Sequence, residues 1–366
     1  MGIRGLAACI HSCCPDSAQP PDWRALRGHT VGVDVLCFVH RGREGGTRPL
    51  LTLARQVAAF RRLRITPLFV FDGRAPPEKG GGVPAVAEEA VASVGAAPRG
   101  ATPHRRGGGG GATILSPSER DEVKRFLYAA GCLFVQAVGE ADAVLAHFAR
   151  SGEISAVLSG DMDMLARGVP LLLAPHAPGR AAFHQQQRGG GPHHTEQKPT
   201  HRAGPGTPDP GAPRGWCAYS LPRICVGLRL SQPAFLNLCV LAGSDYTAGV
   251  PPVPWEAALV LARRCPDLRA AWGALRATKQ MPYADAPTEV ALPFLERAEA
   301  LLSGCEETRE SLLREPQWAK VARGEPPLEP QELLALWCHA LAGDAGGEQL
   351  LHELLQGPTT TTSPSS

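Results

Sequence analysis

With 366 residues and 43% hydrophobic content, the chain is long enough to bury a substantial core as one large or two modest domains. A formal net charge of +2 gives no bulk pull on a polyanion, so any phosphate-binding surface must be a local patch. No apolar run approaches membrane-spanning length, and the start MGIRGLAACI lacks the form of a secretory signal. A soluble intracellular protein is expected, in the nucleus if it is cellular. The 11 cysteines form no CxxC pair and sit mostly among apolar neighbours, as at Cys37 and Cys239, which predicts buried free thiols in a reducing compartment.

In chain order, VGVDVLCF at 31–38 reads as a buried strand carrying one acid, Asp34. RPLLTLARQVAAFRRLRI at 48–65 has helical spacing, and PLFVFDG at 67–73 reads as a second buried strand ending in Asp72. Residues 80–112 are rich in Gly, Ala and Pro around PAVAEEAVASVG, a possible helix within a mobile excursion. Ser116, Pro117 and Glu119 then form a capping box with Pro at the first helical position, opening the helix SERDEVKRFLYAAG, and strand CLFVQA follows.

In GEADAVLAHFARSG, the apolar stripe Ala141, Val144, Leu145 and Phe148 leaves Glu140 and Asp142 at the N-terminal rim. Strand ISAVLSG, segment DMDMLARG and strand VPLLLA come next. This alternation predicts an α/β fold with a mainly parallel sheet covered on both faces. Residues 176–215 are Gly, Pro, His and Gln rich, which predicts a disordered insertion. Beyond it, QPAFLNLCVLAG, WEAALVLARR, ELLALWCHALAG and EQLLHELLQG read as helices, and TTTTSPSS as a disordered tail.

Acids at the ends of apolar strands are costly to bury and repel one another unless cations neutralise them. Asp34, Asp72, Glu140, Asp142, Asp161 and Asp163 all follow this pattern, and Asp245 follows the helix ending LAGSDY. Strand ends in open parallel sheets converge on one crevice, where all seven carboxylates are able to meet. Each acid alone has a plainer reading as a helix cap, a turn residue or a loop residue. Together they favour an oxygen-only site for Mg²⁺, with Mn²⁺ able to substitute. Two such ions about 4 Å apart activate water and stabilise the leaving oxygen of a phosphodiester.

The segments MGIRGL, VGVDVLCFVHRG, PLFVFDGRAPPEK, VGEADA, LSGDMDMLARG and LCVLAGSDY resemble, in order, the signatures of the flap-endonuclease and xeroderma-pigmentosum-group-G (XPG) family of structure-specific 5′ nucleases. The resemblance covers about half the chain. It implies a PIN-like α/β domain, a helical arch, and a helix-hairpin-type DNA-binding region after the last acid. It also implies that Asp34, Asp72 and Glu140 serve a first metal, that Asp142 bridges, and that Asp161, Asp163 and Asp245 serve a second. Asp142 is one methylene shorter than the family's usual Glu. Lys79 matches the basic residue that neutralises the scissile phosphate. His40 stands where an aromatic often stacks on a base, with a packed or surface histidine as the alternative. Gly2, with Met1 removed, resembles the N-terminal residue beside the active site.

On this basis residues 1–79 and 113–175 form the N-terminal and internal nuclease regions. Residues 80–112 form a low-complexity arch, 176–215 an insertion, 216–356 a helical, degenerate DNA-binding region, and 357–366 a tail. The arch segment lacks the expected basic run, because 80–98 carries Glu88 and Glu89 and no Arg or Lys. Pro252 and Pro254 remove amide donors where a hairpin would meet phosphates. No sliding-clamp peptide is visible, and a monomer is expected. The implied activity is metal-dependent cutting of flapped, nicked or branched DNA. An RNA-directed nuclease and an inert nucleic-acid-binding scaffold are the alternatives.

Overall fold

The protein is described by a computed structural model over residues 2–44, 48–74, 115–175, 213, 215–247, 252–278, 288–304 and 308–313. The segments expected to form an arch at 80–112, an insertion at 176–215 (all but residues 213 and 215), the last two helices and the tail, together with Lys79, lie outside the described residues.

The chain opens with α1 (Leu6–Cys13) and the two-residue strand β1 (Ala18–Gln19). Strand β2 (Thr30–Asp34) passes directly into α2 (Val35–Glu44), then α3 (Pro49–Leu63) and β3 (Thr66–Phe71). The expected strand over 31–38 is therefore half strand and half helix. The reason is Asp34, whose carboxylate accepts the Leu36 N–H at 2.9 Å and caps the helix that begins behind it. Next come α4 (Pro117–Ala129), β4 (Leu133–Gln136), α5 (Ala141–Arg150), β5 (Ala156–Leu158), the short α6 (Asp163–Ala166) and β6 (Leu171–Pro175). At α4 the Ser116 hydroxyl accepts the Glu119 N–H while the Glu119 carboxylate accepts the Ser116 N–H, the reciprocal cap that the sequence predicts.

The sequence reading assigned no strand or helix to WCAYSLPRICVGL. These residues form β7 (Trp216–Ser220) and α7 (Leu221–Leu228). Helices α8 (Gln232–Ala242), α9 (Trp255–Arg264), α10 (Leu268–Ala277), α11 (Thr288–Ser303) and α12 (Arg309–Leu312) complete the described chain.

The strands form one sheet in the order β1-β7-β6-β5-β2-β3-β4. Pairing is parallel from β6 through β4, and antiparallel where β7 meets β6 and β1. Strand residues alternate between two buried clusters: Leu68 and Val70 of β3 join one, Phe69 and Phe71 the other. The first cluster gathers α1, α5 and α7 to α11, and the second gathers α2, α3 and α4, so both faces are covered. Among the described residues no single helix is long and apolar enough to cross a membrane, and nine cysteines are free thiols, six of them buried.

Phe69 lies mid-strand on β3 between β2 and β4, fully buried. Phe69→Ala leaves a cavity there and is expected to lower the unfolding free energy by about 3–5 kcal/mol, read as an earlier urea midpoint with unchanged slope.

Candidate active site

Because β2, β3, β4 and β5 run parallel, their C-terminal ends open on the same edge of the sheet. Asp34 is the last residue of β2, and Asp72 is one residue beyond β3. Glu140 and Asp142 flank the start of α5 after β4, and Asp161 and Asp163 follow β5. Asp245 lies just past α8.

The acids are tied to one another by short polar links. Asp72 Oδ1 accepts the Ala141 N–H at 2.8 Å, so its carboxylate caps the positive end of α5, whose first turn also holds Asp142. The Ser159 hydroxyl donates to Asp34 Oδ2 at 3.1 Å and accepts the Asp161 N–H at 3.2 Å, bridging two acids from different strands. Asp161 Oδ1 in turn accepts the Asp163 N–H at 2.9 Å. Ser159 is fully buried, and the sequence reading gave it no role. Only its place two residues before Asp161, inside a strand end, hinted at one.

The N-terminus joins this edge. The Ile3 N–H donates to Asp163 Oδ1 at 2.7 Å. A Cβ on Gly2 would stand 3.0 Å from an Asp161 oxygen and 3.2 Å from an Asp163 oxygen, at a φ of +140°. Only glycine meets both demands without strain. Gly73, behind Asp72, allows a similarly close approach, since a Cβ there would stand 2.3 Å from the carbonyl oxygens of Ala137 and Val138. That contact draws the segment after Asp72 against the one leading to Glu140.

Electrostatics mark the same group. Burial pushes the Asp34 carboxyl from 3.8 up to about 7, and the Asp72 charge adds to it, against hydrogen bonds from Ser159, Leu36 and Cys37. Burial likewise carries Asp163 to about 7, with Asp161 and Asp245 pushing the same way and the Ile3 N–H and Arg167 opposing. Asp142 is raised well above its ordinary value by burial, then by Asp34, Asp161 and Asp72, with Arg167 pulling it back. Asp34 and Asp142 keep some accessible surface yet are ringed by protein.

Glu140 is held differently. The Tyr246 hydroxyl donates a short hydrogen bond to its Oε2, and Arg167 Nη2 lies 3.6 Å from the same oxygen. Neither Tyr246 nor Arg167 carried a role in the sequence reading. His40 sits half-buried on α2, six residues after Asp34. Lys79 lies outside the described residues.

Among the described residues, no three His, Cys, Asp or Glu side chains are gathered closely enough to grip one ion as they stand. The donor chemistry nevertheless fits a hard divalent cation. All donors are carboxylate oxygens, and their mutual repulsion is what a cation relieves. Mg²⁺ retains several waters and needs only one or two direct carboxylates, so a spread cluster suits it.

Comparison with known proteins gives the family. Residues 1–83 match the XPG N-terminal domain model and residues 131–245 match the XPG I-region model, together more than half of the chain. The chain belongs to the XPG and flap-endonuclease family. It is 29% identical over 255 residues to the probable flap endonuclease 1 homolog of Danio rerio, covering 67% of this chain and 58% of that protein. It is 26% identical over 270 residues to flap endonuclease 1 of Homo sapiens, covering 68% and 63%. The match thus spans less than two thirds of each relative's length. In fold, this XPG-family chain is similar to the catalytic core of Rad2 in complex with DNA substrate, with a TM-score of 0.55, 14% identity, and coverage of 96% of this chain and 100% of that one. The corresponding values for human GEN1 in complex with Holliday junction DNA are 0.52, 18%, 97% and 77%. These likenesses extend the PIN-like α/β fold to this chain.

The raised acids set a pH dependence. An acid whose folded-state pKa exceeds its unfolded value favours folding when protonated, and that advantage is lost as pH rises from about 4 to about 7. The cation-free protein is therefore expected to melt at a lower temperature at pH 8 than at pH 5. Asp34→Asn keeps the helix cap and removes the charge, so it should raise the pH 8 melting temperature in chelator and flatten the profile, as followed by scanning calorimetry.

Proposed function

We propose that this chain is a divalent-cation-dependent, structure-specific nuclease that hydrolyses phosphodiesters in flapped or branched DNA, with endonuclease and 5′-to-3′ exonuclease action. The reading rests on one observation above all: carboxylates from four parallel strand ends share one edge, where burial first and neighbouring acids next raise the proton affinity of Asp34, Asp142 and Asp163. A fold without a cation to bind gains nothing from that repulsion.

Asp34, Asp72, Glu140, Asp142, Asp161, Asp163 and Asp245 would hold two Mg²⁺ or Mn²⁺ ions, which when bound acidify water and stabilise the leaving oxygen of a phosphodiester. The protein's own contribution is orientation. Ser159 fixes Asp34 relative to Asp161, and the first turn of α5 fixes Asp72 relative to Asp142. Gly2 and Ile3 bring backbone against Asp161 and Asp163 and leave no side chain in the way of a substrate phosphate. Lys79 would neutralise charge on that phosphate, and His40 would stack beside the cut.

The printed descriptions of Rad2 and GEN1, both bound to DNA, support DNA as the substrate class. Beyond the last acid, the Val253 N–H donates to Leu241 O at 2.9 Å between Pro252 and Pro254, so three successive residues there offer no amide to a phosphate. Weakened duplex gripping follows.

Matched 5′-flap DNA, nicked duplex and single-stranded RNA should be offered with Mg²⁺, Mn²⁺ or chelator. Flap-selective cutting in metal is expected, with Asp161→Asn falling to the chelator background while melting as the wild type or higher. Cutting confined to RNA would redirect the substrate assignment, and a folded wild type that cuts nothing would turn the reading to a binding scaffold.

A further inference from the structure

Arg167 is 3% exposed at the C-terminal end of α6, four residues after Asp163. A guanidinium taken out of water is costly unless its charge is met and its donors are used. Its Nη2 donates to the Tyr246 hydroxyl at 2.9 Å and lies 3.6 Å from Glu140 Oε2, while Nη1 donates to Leu301 O on α11 at 3.2 Å. The Tyr246 hydroxyl donates its own hydrogen bond to that same Glu140 oxygen. Arg167 also stands 5.8 Å from the centroid of the Tyr246 ring. Its backbone carbonyl accepts from Arg150 at 2.7 Å, anchoring it to the far end of α5.

The members of this chain of contacts are spaced in sequence with a purpose. Glu140 is two residues from Asp142, Tyr246 is next to Asp245, and Arg167 is four from Asp163. One buried cation therefore spans three acidic segments that approach the sheet edge from different directions. A planar guanidinium reaches acceptors on two elements with donors held in a fixed fork, which the compact, rotating donors of an ammonium do not reproduce.

We propose that Arg167 is a positioning residue of the acid cluster: through Tyr246 it fixes the carboxylate of Glu140 and so sets how that carboxylate meets a divalent cation. The part concerning cations rests on the function proposed above; the part concerning position does not. A pure brace between α6 and α11 would use the same Leu301 contact, so the test must separate the two.

Wild type, Arg167→Lys, Tyr246→Phe and the double variant should first be compared without metal by amide hydrogen exchange. Each single variant is expected to speed exchange over 139–143 roughly tenfold, the loss of about one charge-assisted hydrogen bond, with the middle of α8 unchanged and the double variant no faster than either single. Mn²⁺ titration followed by electron paramagnetic resonance should then show affinity weakened by about tenfold in each single variant and no further in the double. Wild-type exchange over 139–143 combined with a lowered melting temperature would overturn the proposal in favour of a brace. Losses that simply add in the double variant would overturn the Arg167-to-Tyr246-to-Glu140 order. A wild type that binds no Mn²⁺ would overturn the cation reading alone, and the exchange data would still decide the position of Glu140.

Discussion

Carboxylate repulsion at the C-terminal edge of a parallel sheet is the constraint around which this molecule is built. A lone carboxylate at a strand end is stabilised by turning to water, but Asp34, Asp142 and Asp163 are ringed by protein and by one another. The surrounding chain supplies every neutral donor that fits. The Leu36 amide and the Ser159 hydroxyl both point at Asp34, the Ala141 amide at Asp72 and the Ile3 amide at Asp163. These donors place the carboxylates but carry no formal charge, so they leave most of the repulsion standing.

That demand explains features that look unrelated in isolation. The N-terminal residues run across the edge because an amide is needed at Asp163, and Gly2 is the residue that lets them pass Asp161. Gly73 and Gly139 meet through a backbone hydrogen bond of 2.6 Å, which shortens the path from β3 to the head of α5 and brings Asp72 onto its first turn. Helix α8 ends at Gly243, whose carbonyl accepts from Arg4 at 2.9 Å, so the segment bearing Asp245 and Tyr246 is pinned to the same N-terminal stretch.

Much of this was legible before the structure, because periodicity and strand-end acids are local signals. The α/β alternation, the Ser116 cap and the strand-end places of Asp72, Glu140 and Asp161 needed only a few neighbouring residues. Strand β2 was drawn too long because VLCF is as apolar as the strand before it, and only the Asp34-to-Leu36 hydrogen bond reveals the change to helix. Strand β7 was overlooked because it pairs antiparallel at the sheet's far side after a low-complexity stretch, with Cys, Ala and Ser diluting its pattern. Arg167 was invisible in a stronger sense. An arginine between alanine and glycine reads as solvated, and its burial depends on Glu140 and Tyr246, each far away in sequence.

The same arginine bears on the shorter acid at position 142. A glutamate there would reach one methylene further into the crevice, whereas Asp142 keeps its charge close to the backbone and to Asp34, Asp161 and Asp72. Charge held that deep is repelled more strongly, and Arg167 is the cation that opposes the rise at both Asp142 and Asp163. A permanent guanidinium offsets part of the repulsion whether or not a metal is bound, since its charge is not lost at any physiological pH. The retracted carboxylate and the buried arginine therefore act in the same sense: one concentrates negative charge at the floor of the crevice, and the other makes that concentration tolerable in the folded chain.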